Sequence, residues 1–161
     1  MSVKILEVKK ESFPAARFIG KKYTQGPNWG EWWQNDWFSV LEKNERLSVN
    51  GDAYIGAVHI VDGMPEYWIG MFFPINTEVP EGFDFVDIDS LDYAVCYLQD
   101  KEGSCDFYTM ETHNLCLEKL KSLGFKRKED DWCFERYNCP RFTTPDEEGN
   151  VVLDYGISIE E

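Results

Sequence analysis

The sequence has no run of about 18 apolar residues, so it offers no membrane-spanning helix. Its opening residues, MSVKILEVKKES, contain no long apolar stretch and no small-residue cleavage site, which argues against a secretory leader. Five cysteines are present (Cys96, Cys105, Cys116, Cys133 and Cys139), with no CxxC pair among them. An odd number without paired spacing argues against a disulfide framework and fits free thiols in the cytoplasm. Histidine is scarce, with His59 and His113 only. His113 and Cys116 have HxxC spacing, but zinc needs two further ligands at suitable places. Two residues on one helix face is the simpler reading, and no metal and no cofactor is expected. There is no Ser-His-Asp or Cys-His signature for acyl transfer. Basic residues are also few: 16 Lys and Arg stand against 30 Asp and Glu, for a net charge of -14. Such a field repels phosphate backbones and excludes nucleic acid as the expected partner, while drawing in cations. Solubility alone is the other reading of the charge.

Aromatic residues, by contrast, are abundant: 6 Trp, 8 Tyr and 11 Phe in 161 residues. That is more ring surface than a core of this size needs, and rings also build ligand sites. No Gly- or Ser-rich linker divides the chain, so one domain is expected. VKILEVKK (3–10) and FPAARFIGKKYT (13–24) read as two strands or one bent strand. Asn28 and Glu31 then have capping-box spacing. Trp29, Trp33, Trp37 and Leu41 form an i, i+4 ridge, with Val40 beside it, predicting one amphipathic helix of about four turns. Trp32 falls about 100° off that ridge. Gly51 ends the polar linker that follows. AYIGAVHIVD (53–62) and PEYWIGMFFP (65–74) read as a hairpin joined through DGMP. The second half repeats the order. FDFVDID and LDYAVCYLQD are strands or one bent strand, and a helix at about 109–123 carries His113, Cys116, Leu117, Leu120 and Leu123. Gly124 stops that helix, and WCFERYN and VVLDYGISIE close the pattern as strands.

The chain thus reads as a duplicated β-α-β-β repeat, about 1–76 and 77–161. The expected fold is α+β with pseudo-two-fold symmetry, an antiparallel sheet and two helices. In PEYWIGMFFP both faces are apolar: Tyr67, Ile69, Met71 and Phe73 on one, Trp68, Gly70 and Phe72 on the other. Two helices cover one face of a sheet, so the second is expected to pack on a partner or line a cavity. In WCFERYN, Glu135 shares a face with Cys133 and Tyr137. The strand either turns Glu135 to water, as is usual for glutamate, or aims it into a cavity where a phenol donates to it.

Several segments together resemble one family. YIG (54–56), YWIGMFF (67–73), VPEG (79–82), YAVCYL (93–98), LGFKR (123–127), FERY (134–137) and the helix GEWWQNDWF, in that layout, resemble the GyrI-like small-molecule-binding domain, which is also the effector-binding domain of AraC-type and MerR-type multidrug regulators. The likeness spans about Phe13 to Ile159. It implies two repeats around a central ligand groove, aromatic walls, and a buried acid, matching Glu135, that meets cationic or lipophilic aromatic ligands. A desolvated cation relieves the cost of a buried carboxylate, and ring faces add about 0.5–2 kcal/mol. On this resemblance the expected ligand-binding residues are Glu135, Tyr137, Trp33, Trp37, Tyr67, Trp68, Phe72 and Tyr97. The family's regulators carry a DNA-binding helix-turn-helix that this sequence lacks, which implies a stand-alone sensor or sequestering protein. The family pattern accounts for neither Cys133 nor the density of Trp. Two other readings stay open. Some stand-alone members hydrolyse reactive electrophiles such as cyclopropane-bearing genotoxins; here Glu135 would be the general base, with Tyr137 or Tyr67 orienting the substrate. Gyrase-inhibitor relatives act on a protein partner, for which the acidic surface or the doubly apolar strand would serve.

Overall fold

The structure, a computed structural model, describes residues 2–50, 53–129 and 132–161. Gly51, read above as the end of a linker, lies outside them. Strands β1 (Lys4–Phe13) and β2 (Ala16–Tyr23) lead to helices α1 (Trp29–Asn35) and α2 (Trp37–Leu41) and then to β3 (Tyr54–Val61) and β4 (Met64–Pro74). The second half runs β5 (Asp84–Ile88), β6 (Leu91–Lys101), α3 (Met110–Ser122), β7 (Cys133–Tyr137) and β8 (Asn150–Ile159). Single-turn helices span Ser48–Asn50 and Cys105–Tyr108. No helix among the described residues is long and apolar enough to cross a membrane.

All eight strands join one antiparallel sheet in the order β1-β6-β8-β7-β3-β4-β2-β5. Replacing each strand by its counterpart in the other half reproduces this order read from the opposite end, so a pseudo-two-fold axis passes between β7 and β3. The first strand of each half is exchanged: β1 pairs with β6 and β5 pairs with β2. β1 and β2 are therefore two strands with different neighbours, not one bent strand, and the same holds for β5 and β6. The β3–β4 hairpin turns at Asp62 and Gly63, both at positive φ (51 and 77), as the two-residue turn favoured by strand twist requires.

The sheet curls on itself. Phe13 on β1 and Phe72 on β4 stand five strands apart, about 24 Å in a flat sheet, yet their ring centroids are 5.5 Å apart. Phe134 joins them at 5.6 Å from Phe13, and Tyr93 lies 4.9 Å from Phe134. Trp68, Phe72, Phe18, Ile55 and Trp132 fill the rest of this inner core. The second face of β4 thus packs against the sheet's own other half, neither on a partner nor along a cavity. Gly156 lets the Phe134 ring lie flat over β8, since a Cβ there would meet it at 2.3 Å.

The helices lie on the outer face. Under α1 and α2 are Ile19, Ile69, Met71 and Phe73; under α3 are Ala94, Cys96, Leu153 and Ile157. The expected two helices are three, because the first is broken. Asp36 adopts the left-handed conformation (φ 52), which an aspartate tolerates, and closes α1 with its N–H on the Trp32 carbonyl. In an unbroken helix Trp32 and Leu41, nine residues apart, would face about 180° away from each other. The break brings Trp32, Phe38 and Leu41 to one buried face, all 2% exposed or less. Of the predicted ridge only Leu41 is fully buried; Trp29 and Trp37 pack half-buried at the edge of this core and Trp33 is exposed, while Trp32, the residue off the ridge, fills the packing face. Half of the capping box is present: the Asn28 side chain accepts from the Glu31 N–H at 3.2 Å, while the Glu31 carboxylate accepts from the Tyr23 hydroxyl at 3.1 Å.

Candidate functional site

Between α1 and α3, over the central strands β3 and β7, the outer face is left open. A cavity of about 1350 Å³ occupies this place, above the usual range of roughly 300–1,000 Å³ for small-molecule pockets. β7 supplies Cys133, Glu135 and Tyr137 to its floor, the alternation of a strand putting these three on one face. Tyr67 comes from β4 on the far side of β3, and Tyr155 from β8, directly opposite Glu135. Trp29, Trp33 and Tyr54 form one wall, and Phe107, Tyr108, Met110, His113 and Phe142 the other.

Glu135 is the centre of the polar network. Tyr67 donates to its Oε1 at 2.5 Å and Tyr137 donates to the same oxygen at 2.8 Å. The Tyr108 hydroxyl stands 3.4 Å from that of Tyr137. Trp29 meets the Tyr137 ring edge-on at 5.3 Å, and Phe142 meets it at 4.8 Å. No Lys, Arg or His among the described residues forms an ion pair with Glu135. Burial pushes its pKa up, and the two phenol hydrogen bonds offset this only in part. The phenols respond in kind. Burial, then the neighbouring Glu135 charge, raises Tyr67 and Tyr137 well above the ordinary tyrosine range, so both remain donors. At the mouth, Tyr54 donates to Glu42; burial and this bond push the phenol up to about 12. His113 Nδ1 lies 2.7 Å from the Tyr155 hydroxyl, and burial, with the Arg127 charge, lowers its pKa.

Gly56 makes the network possible. It sits on β3 between Glu135 and Ile69 in the register, and a Cβ there would lie 2.2 Å from the Tyr67 hydroxyl and 2.7 Å from Glu135 Oε1. Both are far ends of side chains that can swing away. Gly56→Ala is therefore expected to keep the fold while parting Tyr67 from Glu135. A hydrogen bond to a charged group is worth about 1.5–3 kcal/mol, so affinity for a cationic ligand should fall at least tenfold, read by titration calorimetry against an unchanged far-UV spectrum. An unaltered affinity would show that the Tyr67 contact is dispensable.

The expected site residues divide evenly. Glu135, Tyr137, Tyr67 and Trp33 come together around the cavity, Trp33 at its mouth with 59% exposure. Trp68 and Phe72 lie in the inner core on the opposite face of β4. Trp37 turns away to Phe83 and Lys21. Tyr97 is on the other side of the sheet, where its hydroxyl meets Glu11 at 3.1 Å. His113 and Cys116 part company: His113 borders the cavity, while Cys116 is fully buried beside Cys96.

The sequence matches no family model and no curated protein. Solved structures do match. SAV2435 bound to tetraphenylphosphonium aligns with a TM-score of 0.70 at 14% identity, over 96% of this chain and 94% of that one. This chain has the GyrI-like fold. A putative transcription regulation protein from Staphylococcus aureus MU50 gives 0.69 at 15% identity, over 96% and 99% of the two chains. EcmrR matches through its C-terminal domain, with 0.61 at 9% identity over 96% and 98%, and again in its complex with DNA, where 57% of that chain is covered at a TM-score of 0.59. Within the GyrI-like fold of this chain, sequence reasoning missed Trp29, Tyr54, Tyr108, Phe142 and Tyr155. Tyr54 carried a usable signal, since alternation along β3 puts it on one face with Val58 and Ile60, which also line the cavity. Tyr108 and Phe142 arrive on irregular segments, where no periodicity marks them.

Proposed function

We propose that this chain binds lipophilic organic cations with aromatic bodies in the cavity between α1 and α3, as a sensor or sequestering protein, with Glu135 as the counter-charge. One observation carries this reading. A carboxylate is held deep in an aromatic cavity, with two phenol donors on Oε1 and no cation paired to it among the described residues. An uncompensated buried carboxylate is costly, and a ligand that brings a dispersed positive charge and little hydration shell removes that cost. The surrounding ring faces add cation–π attraction. Tetraphenylphosphonium, the compound bound to SAV2435 in the same fold, is a cation of this kind. The net charge of -14 favours cations and disfavours phosphate backbones, so we assign no nucleic-acid contact to this chain. Its free thiols fit the cytoplasm.

Titration with tetraphenylphosphonium, followed by tryptophan fluorescence, tests the reading directly: Trp29 and Trp33 border the cavity and should be quenched on filling it. Binding should strengthen as pH rises through the raised pKa of Glu135, because proton and cation compete for one carboxylate. Absence of saturable quenching by any of a panel of aromatic cations would sink it. A second reading rests on the same carboxylate. Its Oε2 takes neither phenol bond, and a carboxylate with a raised pKa suits a general base acting on water toward an electrophilic substrate. Consumption of an electrophile by the protein, followed by mass spectrometry, would favour hydrolysis over binding.

A further inference from the structure

The cavity carries more than one charge. Glu135 and Glu42 line it, and so do Arg46, Arg127 and His113. The Glu42 corner is balanced: Glu42 accepts from Tyr54, and the Arg46 charge acts on the same phenol. Arg127 has no such company. It is half-buried at the cavity wall, and no ion pair among the described residues includes it.

Its place relative to Glu135 follows from the sheet. Arg127 bridges to Ile159 at the end of β8. The same strand carries Tyr155, which stands opposite Glu135 and meets His113 through its hydroxyl. In the tautomer that accepts from Tyr155 at Nδ1, the second ring nitrogen of His113 is a donor. The wall therefore runs from Glu135 through Tyr155 and His113 to Arg127. Ile159 is four residues beyond Tyr155, or roughly 13 Å along the strand. A simple cation on Glu135 leaves the Arg127 guanidinium with a like charge in the same cavity. A ligand carrying an acidic group at the far end would turn this repulsion into a charge-assisted hydrogen bond.

We propose that the cavity selects zwitterionic amphiphiles, with the cationic centre against Glu135 and a carboxylate or comparable acid against Arg127 and His113, separated by roughly 13 Å or less. This rests on the cation reading above and names the second half of its ligand.

Two series of triphenylphosphonium salts with equal chain lengths test it, one ending in methyl and one in carboxylate. At the best chain length the carboxylate should bind about five- to tenfold more tightly than its methyl partner, with no gain at the shortest length. Arg127→Gln should abolish that gain and leave the methyl series unchanged or slightly tighter. Arg127→Lys should restore part of it, which separates loss of charge from damage to the wall. Carboxylates that bind no better than their methyl partners at any length, or a gain that survives Arg127→Gln, would overturn the proposal while leaving the cation reading intact. Failure of both series to bind would overturn both.

Discussion

Glu135→Gln is expected to make the unliganded protein more stable at neutral pH and to remove most of its affinity for organic cations. The carboxyl has a folded-state pKa raised by burial, so the folded protein holds its proton more tightly than the unfolded chain does. Stability then declines as pH rises from the ordinary carboxylate value to the raised one, and the cost is fully present above it. A neutral amide carries no such cost. Its carbonyl oxygen can still accept from Tyr67 and Tyr137, which both bond one oxygen in the native protein. For a chain of this length each 1 kcal/mol relieved raises Tm by about 2–4 °C. The difference between variant and parent should shrink as pH falls toward about 4, where the glutamate is protonated in both states. Other groups face the same space, but they cancel in the comparison: the phenols of Tyr67, Tyr108, Tyr137 and Tyr155 are raised and stay neutral, and His113 is present in both proteins. Affinity for tetraphenylphosphonium should fall about thirtyfold or more, the usual loss when one partner of a buried charge pair is removed. Calorimetric Tm across the pH range, with a binding isotherm at neutral pH, checks both parts. A variant no more stable than the parent at neutral pH, with its affinity unchanged, would show that Glu135 is solvated and not a ligand for cations. The expected trade of stability for function is the usual mark of a binding site.

How much of this was legible depends on the range of the interaction. The face of β7 that carries Cys133, Glu135 and Tyr137, the Asn28 cap and the Asp62–Gly63 turn are local, and alternation or turn chemistry is enough to find them. The doubly apolar β4 also signalled that both of its faces are covered. What covers the inner face was not legible, because the curl that brings Phe13 onto Phe72 is a property of the whole sheet. This is why Trp68 and Phe72 were drawn into the expected site: a ring needed by the core and a ring needed by a ligand look alike in one dimension. The tryptophan helix failed for a different reason. Helical spacing presumes an unbroken helix, and a single left-handed residue, Asp36, changes the register of everything after it. Aspartate at that position gives only a weak warning.

Arg136, next to Glu135, received no role from the sequence, yet it explains why Glu135 has no cationic partner among the described residues. Adjacent residues of a strand face opposite ways, so the arginine is committed to the closed face while the glutamate opens on the cavity. There Arg136, 3% exposed, donates through Nε to Asp154 at 2.7 Å and through both terminal nitrogens to Glu11 at 2.8 Å each. Asp154 is fully buried and also accepts from Asn138 at 2.8 Å and from Arg141. One network thus ties β1, β7, β8 and the loop between the last two. Asp154→Asn keeps the volume but removes the charge that two arginines share, and turns an amide N–H toward their donors. Breaking a buried pair in this way costs about 3–5 kcal/mol, so Tm should fall by about 10 °C at 2–4 °C per kcal/mol. Binding of tetraphenylphosphonium well below the new midpoint should persist, because Asp154 does not touch the cavity. A loss of less than about 1 kcal/mol would place this network with exposed pairs. Acid offers an independent check. Burial raises the pKa of Glu11, but its bonds to Arg136 outweigh this and leave it below the ordinary value. Its contribution is therefore present above the unfolded carboxylate pKa and is lost as pH falls through the lowered one, whereas the cost of Glu135 is relieved over a higher range. Measured against Glu135→Gln, the parent should therefore gain stability as the solution is acidified from neutrality, whereas the drop at lower pH, and the loss from His113 with its lowered pKa, should be the same in both proteins.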